Sequence, residues 1–471
     1  MSNRRVFLAY GVGLLMMVVA GCVRYQPRPL LAPVILDAIE SRTLDNPDLA
    51  TFLRTNQHVS AWPPKSWDLN TLSLVGFYYN PDLDVARADW AVARAAGITA
   101  GERPNPNLSV APSFNSTTPA NQVTPWILSL DLDFTIETAG KRGYRIAQAR
   151  QLSQAARLAI ASTAWQVRSR VRQSLLDLFE AAETATLLEN QRQLQTTVVA
   201  LLDRQLAAGA ISPFELTQAR IALDTIRLAM HDAGRKHVEA RAQLADALGV
   251  TIRALDGIDF DLDVFRTLPK DLPAPDVRRQ ALLNRPDILA ALETYGASQA
   301  ALQVEIARQY PDIHLGPGYQ LDQTDNKWTL GLSGALPLFN RNRGPIGEAE
   351  ARRTQAAARF TAVQARAIGE IDRALAAYRA TLEKAITTET LVAALQKQER
   401  STRASLDAGE ISRLDLNVIQ LQLAVIQLAR LDARVKAHQA LGRLEDAIQR
   451  PTDLAEWVST APTRDPVAVK Q

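Results

Sequence analysis

Cysteine is almost absent from this sequence, since Cys22 is the only one among 471 residues. One cysteine excludes a disulfide within the chain, and the five histidines form no cluster with metal-ligand spacing. Aromatic residues make up only 6%, which is low for an all-β sandwich. Alanine-rich segments without proline favour helix instead. The composition therefore predicts a mainly α-helical protein without a metal site.

An excess of charge of either sign is also lacking. The net charge is +3, and without Arg4 and Arg5 of the N-terminal leader it is about +1 (3 − 2). A balance so close to neutral argues against nucleic acid as a partner. No Ser/His/Asp or Cys/His arrangement and no G-x-x-x-x-G-K-[S/T] phosphate loop stands out. We therefore expect no catalytic residues, and any energy must come from a partner protein.

The first 21 residues have the pattern of a secretory signal peptide: a basic start, an apolar run and small residues at the end. Beyond it, no apolar stretch reaches the ~18–20 residues that a membrane helix needs. After the leader, any membrane crossing must therefore be made by strands. Arg4-Arg5-Val6-Phe7-Leu8 also resembles a twin-arginine motif, so the export route stays open.

The end of the leader, Val19-Ala20-Gly21-Cys22, resembles the lipobox of bacterial lipoproteins. The resemblance implies cleavage before Cys22 and a covalent lipid on its sulfur, and no other cofactor is expected. Val23 stands where an aspartate would signal retention in the inner membrane. Residues 22–78 are rich in proline and predict a lipidated linker with one or two short helices.

One turn sequence occurs twice, 200 positions apart (409 − 209). Residues 207–216 and 407–416 share the frame A-G-x-I-S-x-x-[acidic]-Leu. Gly209 and Gly409 suit the left-handed position that closes a helix, and Ser212 and Ser412 suit an N-cap. Each copy therefore predicts a tight turn between antiparallel helices, and the repetition indicates two duplicated halves, 79–268 and 269–450. Residues 451–471 are read as a polar tail.

Each half repeats the same order of elements. An alanine-rich helix comes first, then a strand hairpin (106–136 and 311–339) with a polar loop at 115–124 or 322–327. Two long helices follow, at 144–206 and 212–248 in the first half and at 346–406 and 412–448 in the second. Small and apolar residues recur every seven positions along the first long helix, which is coiled-coil spacing. At about 1.5 Å per residue each longer helix spans on the order of 90–100 Å.

The strands alternate between apolar and polar residues. Trp126, Leu128 and Leu130 share one face, while Asp131 and Asp133 share the other, where they would line a barrel lumen. About ten alternating residues with an aromatic at the end are typical of a transmembrane barrel strand. Four strands cannot close a membrane-spanning barrel, and open edges are not tolerated in lipid. Several chains must therefore pool their strands.

The chain resembles the TolC family of bacterial outer-membrane efflux proteins over nearly all of its length after the leader. Four features carry the resemblance. The first is the pair of segments that begin the two halves, Asn80-Pro81-Asp82-Leu83 and Asn284-Arg285-Pro286-Asp287-Ile288. The others are Pro311-Asp312-Ile313-His314-Leu315 before a strand, residues 336–344 and the paired turns.

The resemblance implies a homotrimer anchored in outer-membrane lipid, with a 12-stranded β-barrel and an α-helical tunnel through the periplasm. It would be the exit duct of a tripartite pump, with a periplasmic adaptor and an inner-membrane transporter of the resistance-nodulation-division type.

The resemblance also assigns roles to the two turns. They correspond to the periplasmic tips, so we expect Gly209, Ile211, Ser212, Gly409, Ile411 and Ser412 to contact the adaptor. Asp415 corresponds to an aspartate of the tunnel constriction, and three copies would form a ring that selects cations. Like charges that close would raise one another's pKa. The family's second aspartate falls at Val418, so a double ring is not reproduced. Asp415 and Glu215 also stand where a capping box places an acid.

Other interpretations stay open. A type I protein secretion duct has the same fold, and sequence does not separate the two. A periplasmic coiled-coil lipoprotein without a pore is the alternative from another class, and the alternating strands argue against it; a hydrolytic enzyme is a distant third. The segment 137–142 resembles members that serve metal-cation pumps, but it is too short to identify the cargo.

Overall fold

The computed structural model describes residues 25–56, 62–117, 123–269 and 275–449. They fall into two units divided after Arg42. Within the first unit, helix α1 (Ala32–Glu40) has no buried residue. The predicted signal peptide, the lipidation site Cys22 and the tail 451–471 lie outside the described residues, so these predictions stay as they are.

The segment before the first half is folded rather than extended. Helices α2 (Pro47–Asn56) and α3 (Leu69–Tyr79) belong to it, and with α1 the described part of this segment has three short helices, where one or two were predicted. Asp68 caps α3, accepting a 2.7 Å hydrogen bond from the Thr71 amide. The leucines of α2 and α3 enter the main core, which is why this proline-rich segment is ordered.

The first half matches its prediction to within a few residues. Its elements are α4 (Pro81–Gly101), β1 (Asn107–Phe114), β2 (Trp126–Ile136), α5 (Lys141–Ala207) and α6 (Pro213–Leu248). With 67 residues, α5 is about 100 Å long at the standard rise. It packs along α6, and most of its heptad positions between 164 and 188 are buried; Ala185 is the exposed exception.

The second half contains one element that the sequence did not predict. Its elements are α7 (Pro275–Asn284), α8 (Pro286–Ala307), β3 (Ile313–Asp322), β4 (Asp325–Ser333), α9 (Arg343–Asp407) and α10 (Arg413–Ile448). Helix α7 precedes Pro286 as α3 precedes Pro81, so the duplication reaches further upstream than predicted. The prolines at 269, 273 and 275 had suggested only a junction, although proline is well suited to a first helical turn.

The predicted loop at 322–327 is wrong. Strands β3 and β4 continue through it and turn over Gln323 and Thr324 alone, with Gln323 at φ +60°. A two-residue hairpin turn needs such positive φ values, which glycine or asparagine usually supplies. The sequence shows neither residue at this position, and therefore the polar run suggested a longer loop.

The four strands form one antiparallel sheet in the order β1-β2-β3-β4. The register puts Leu130 opposite both Val110 and Tyr319, and Leu330 opposite Pro317, so apolar residues share one face across all strands. Aromatic pairs stand at the turn end: Phe114 with Trp126, and Tyr319 with Trp328. The predicted alternation is confirmed. Strands β1 and β4 are the edges.

The main core lies midway along the long helices. It joins α2, α3, the middle of α5, the end of α6 and the segment 250–265. A second buried cluster joins α7, α9 and α10 around Tyr378. Contrary to the expectation that no stretch after the leader is long and apolar enough, α10 has the length and composition that would allow a membrane crossing among the described residues. Because α10 packs along α9 and against α5, we assign it to the helix bundle.

Candidate functional site

The first turn joins α5 to α6 with the predicted chemistry. Gly209 has φ +71°, in the left-handed region, and no atom lies near the position of an added Cβ. Ser212 and Glu215 form a capping box, and Pro213 takes the first helical position. The turn is therefore shaped by local hydrogen bonds and backbone conformation.

The second turn repeats this geometry with tighter hydrogen bonds. Gly409 has φ +79°. The Asp415 carboxylate accepts hydrogen bonds from the Ser412 amide at 2.9 Å and the Ser412 hydroxyl at 2.6 Å. The Asp415 amide donates to the Ser412 hydroxyl at 3.3 Å. Asp415 is thus a capping-box acid, as its position in the sequence allowed.

Hydrogen bonds from Ser412 lower the pKa of Asp415 below its usual value of 3.8. The sequence led us to expect that neighbouring copies of Asp415 raise its pKa, an effect that requires an assembly of three chains. Within one chain, the capping hydrogen bonds stabilise the charged form. Asp415 is exposed, so its charge is available to the solvent or to another chain.

The two turns lie side by side. Leu202 and Leu216 of the first half are buried, and Leu414 and Leu421 of the second half pack against the same cluster. Both copies therefore stand at one end of the bundle, as predicted. Ile211 also packs on this cluster and is only partly exposed, so its side chain shapes the tip as well as being a candidate for partner contact.

A groove opens beside the second turn, with a volume of about 370 Å³. It is lined by Ser401, Thr402, Ser405, Ile411, Asp415, Val418 and Ile419. A second, apolar groove of about 500 Å³ continues along α9 and α10 and shares Val418. The candidate contact residue Ile411 and the candidate constriction residue Asp415 thus face a common groove.

The polar face of the sheet carries Asp131 and Asp133, as predicted, together with a residue the sequence did not single out. His314 Nδ1 lies 3.0 Å from a carboxylate oxygen of Asp133. Thr135, opposite His314 in the register, lies 3.4 Å away through its hydroxyl. The alternation of His314 with Ile313 and Leu315 placed it on this face, but pairing β2 with β3 required the register. Within the described ranges, no three His, Cys, Asp or Glu side chains lie close enough together to hold a metal ion.

The segment 137–142 makes hydrogen bonds to the residues that precede β3 at the base of the sheet. Lys141 is buried and donates to Asp312 and to the Tyr310 carbonyl, both at 2.7 Å. Thr138 donates through its amide to Asp312 at 3.0 Å. Partial burial acts to raise the pKa of Asp312, but the hydrogen bonds from Lys141 and from the Thr138 amide together outweigh it, so the pKa is lowered. These contacts join the first half to the second where the strands meet the helices.

Comparison with known proteins agrees with this architecture. The outer membrane efflux protein family model matches residues 79–250 and 277–448, which are the two halves. The chain is 25% identical to the cobalt-zinc-cadmium resistance protein CzcC of Cupriavidus metallidurans, over 68% of this chain and 76% of that protein. It is 22% identical to the probable outer membrane lipoprotein SilC of Salmonella typhimurium, over 88% and 92%.

The solved structure of the outer membrane protein VceC from Vibrio cholerae aligns with a TM-score of 0.66 and 21% identity, covering 82% of this chain and 97% of VceC. That likeness extends the agreement from sequence to fold. The family is one of outer-membrane channels, and two copies of its signature span both halves of the chain. The chain therefore belongs to the outer membrane efflux protein family and is a protein of the bacterial outer membrane.

Proposed function

We propose that this chain forms the exit duct of a tripartite efflux pump, as a homotrimer that crosses the outer membrane through a 12-stranded barrel. The observation that carries the proposal is the sheet. Its apolar face is exposed, and its edge strands β1 and β4 are both open among the described residues. Unpaired strand edges are not tolerated in lipid, so each edge needs a partner strand from another chain.

The long helices support the second part of the proposal. Helices α5 and α9 are each on the order of 100 Å long and end at the paired turns. A helix bundle of that length, starting at the base of the membrane strands, would reach deep into the periplasm. The tips would then meet the periplasmic adaptor, with Gly209, Ile211, Ser212, Gly409, Ile411 and Ser412 at the contact. The inner-membrane transporter, which we take to be of the resistance-nodulation-division type, would supply the energy.

At the tunnel mouth, we assign Asp415 to a cation-selective constriction. Its exposed carboxylate and lowered pKa keep it charged at neutral pH. The two turns differ, since the first carries Pro213 and the second carries Asp415. This difference supports placing the Asp415 turn at the mouth and the Pro213 turn outside it. The lipid on Cys22 would hold the trimer in the outer membrane.

The likeness to CzcC, whose name specifies cobalt, zinc and cadmium, favours divalent metal cations as the exported cargo. The carboxylates and His314 on the polar face of the sheet would give cations a hydrophilic lining. A type I secretion duct of the same fold would export protein instead.

Deletion of the gene tests the proposal. The deletion strain is expected to become sensitive to cobalt, zinc or cadmium, and the intact gene should restore resistance. Native mass measurement of the detergent-purified protein is expected to give three chains. A stable monomer would contradict the duct, while unchanged metal tolerance with loss of a secreted protein would favour the secretion alternative.

A further inference from the structure

The segment between β4 and α9 belongs to none of the sites described above. It contains the apolar residues Leu336, Leu338 and Phe339, followed by Arg341 and by Arg343, the first residue of α9. Leu336 is 75% exposed, Leu338 is 69% exposed and Phe339 is fully exposed. Large apolar side chains exposed next to one another mark an interaction surface.

This surface continues the apolar face of β4. Trp328, Leu330 and Leu332 are exposed on that face at every second position. The same spacing leads past the strand end at Ser333 to Leu336 and Leu338. Exposed apolar residues therefore continue along the chain from β4 to the start of α9.

The duplicated half provides an internal comparison. The two helices after the strands begin 202 positions apart (343 − 141), and Gly140 and Asn342 precede them with positive φ angles. In this alignment Glu137 corresponds to Phe339, and Ala139 corresponds to Arg341. The first half is therefore polar at the position where the second half carries an exposed phenyl ring.

The charges in the first half are satisfied within the chain. Glu137 pairs with Arg145, and Lys141 pairs with Asp312. Over the described ranges, the guanidinium groups of Arg341 and Arg343 have no hydrogen bond or ion pair, and both residues are exposed. Only the second-half copy thus leaves both apolar and cationic groups available to an outside partner.

The arrangement fits a phospholipid surface. Phenylalanine and leucine insert into the boundary between head groups and acyl chains, while arginine binds phosphate with paired hydrogen bonds. Such a segment at the foot of a membrane strand would lie at the depth of the periplasmic leaflet. A protein partner would need a pocket for Phe339 and an acidic rim, whereas a lipid leaflet provides both properties at once.

We propose that residues 336–343 form an interfacial anchor in the periplasmic leaflet of the outer membrane, with Leu336, Leu338 and Phe339 among the acyl chains and Arg341 and Arg343 on phospholipid phosphates. This inference rests on the proposed insertion of the strands in the membrane. It adds a second membrane contact at the base of the helices, on one half of each chain only.

Depth-dependent quenching in proteoliposomes tests the anchor. A bimane label is attached to Phe339→Cys in the full-length, lipidated protein, reconstituted in phosphatidylcholine vesicles with bromine on the acyl chains. A label on Leu332→Cys reports whether the strand face lies in the lipid. A label on Ala139→Cys serves as the control, because Ala139 occupies in the first half the position that Arg341 occupies in the second. Unmodified protein should take up no label, because its single cysteine carries the lipid.

The Phe339 label is expected to lose at least twofold more fluorescence to brominated lipid than the Ala139 label, and to resist aqueous iodide. If the Leu332 label is quenched but the Phe339 label is not, the anchor is overturned while strand insertion stands. Protection of Phe339 from both quenchers would assign the segment to a neighbouring chain instead. If Leu332 is itself unquenched, both the insertion and the anchor are refuted.

The arginines are tested in the same assay with Arg341→Gln and Arg343→Gln combined. Brominated phosphatidylglycerol is expected to quench the Phe339 label more strongly than brominated phosphatidylcholine, because the anionic lipid gathers near the two guanidinium groups. In the double variant, the two brominated lipids should quench the Phe339 label equally. An unchanged ratio between them would contradict the role of the arginines.

Discussion

The guanidinium group of Arg285 donates a 2.7 Å hydrogen bond to the main-chain carbonyl of Ala447, near the end of α10. In the first half, the Asn80 side-chain amide donates to the carbonyl of Ala247 at 2.9 Å. Both donors precede the proline that begins α8 or α4, and both are buried. The two halves therefore share a helix-end contact, made by two chemically different side chains.

Replacing Arg285 by alanine is expected to destabilise the protein by about 1–3 kcal/mol, because it leaves the buried Ala447 carbonyl without its hydrogen-bond donor. Arg285 pairs with Asp287 at 2.7 Å and with Glu370 at 3.1 Å, and both would lose their partner together with the Ala447 carbonyl. Thermal unfolding of the purified protein measures the loss. Arg220→Ala removes an exposed pair with Asp203 and is the control, with little change expected. Equal melting temperatures for the two variants would contradict this role.

Asp415→Ala is expected to raise the cation conductance of the reconstituted channel and to weaken its block by polyvalent cations. Three exposed carboxylates at a narrow mouth would concentrate negative potential, and the substitution removes it. Glu215→Ala is the matched control, since it removes the capping acid of the other turn. If both variants conduct alike, Asp415 is only a capping residue.

The groove at the second tip leads to a prediction about the adaptor. Ile411→Asp should weaken binding of the adaptor at least tenfold, because it adds a charge beside Asp415 in the groove where we expect an apolar contact. Adaptor binding to the immobilised trimer measures the effect. Ile221→Asp, on the exposed face of α6 away from the tip, should bind normally. Unchanged binding by Ile411→Asp would move the contact elsewhere.

The buried imidazole of His438 predicts a pH dependence of stability. Burial lowers the pKa of His438 to about 4, while a hydrogen bond to the backbone of Phe265 opposes the shift. The unfolded chain, with a histidine pKa of 6.5, binds this proton first as the pH falls. The contribution of neutral His438 is therefore complete above pH 6.5 and is lost between pH 6.5 and 4, by about 3 kcal/mol.

His438→Gln is expected to flatten the fall of the melting temperature across that pH range. His231→Gln, on the exposed side of α6, should follow the unmodified protein. Parallel pH profiles for all three proteins would show that His438 does not control the acid sensitivity.

Sequence patterns predicted those parts of the fold in which local chemistry and periodicity agree. The paired glycines and capping serines located both tips, and strict alternation located the strands and their apolar face. Short helices were predicted within 22–78, but their packing into the main core was not, because proline suggested an extended linker, whereas Leu49, Leu53 and Leu72 are fully buried. The contact between His314 and Asp133 was missed because it depends on the pairing of strands from different halves.

The tips illustrate the same limit within the candidate site. Local sequence correctly indicated Ser412 and Asp415 as capping partners, since their spacing alone determines that contact. The packing of Ile211 against a cluster that includes Leu414 joins residues about 200 positions apart. The periodicity of one half does not show which side chains of the other half its residues will contact.

We propose that three copies of this chain enclose a continuous pore through the outer membrane. Single-channel recording of the purified full-length protein in a planar bilayer tests it most directly. We expect uniform conductance steps that favour cations, and Asp415→Ala should increase the conductance of each step. Folded protein that enters the bilayer without producing conductance steps, either unmodified or as Asp415→Ala, would contradict it.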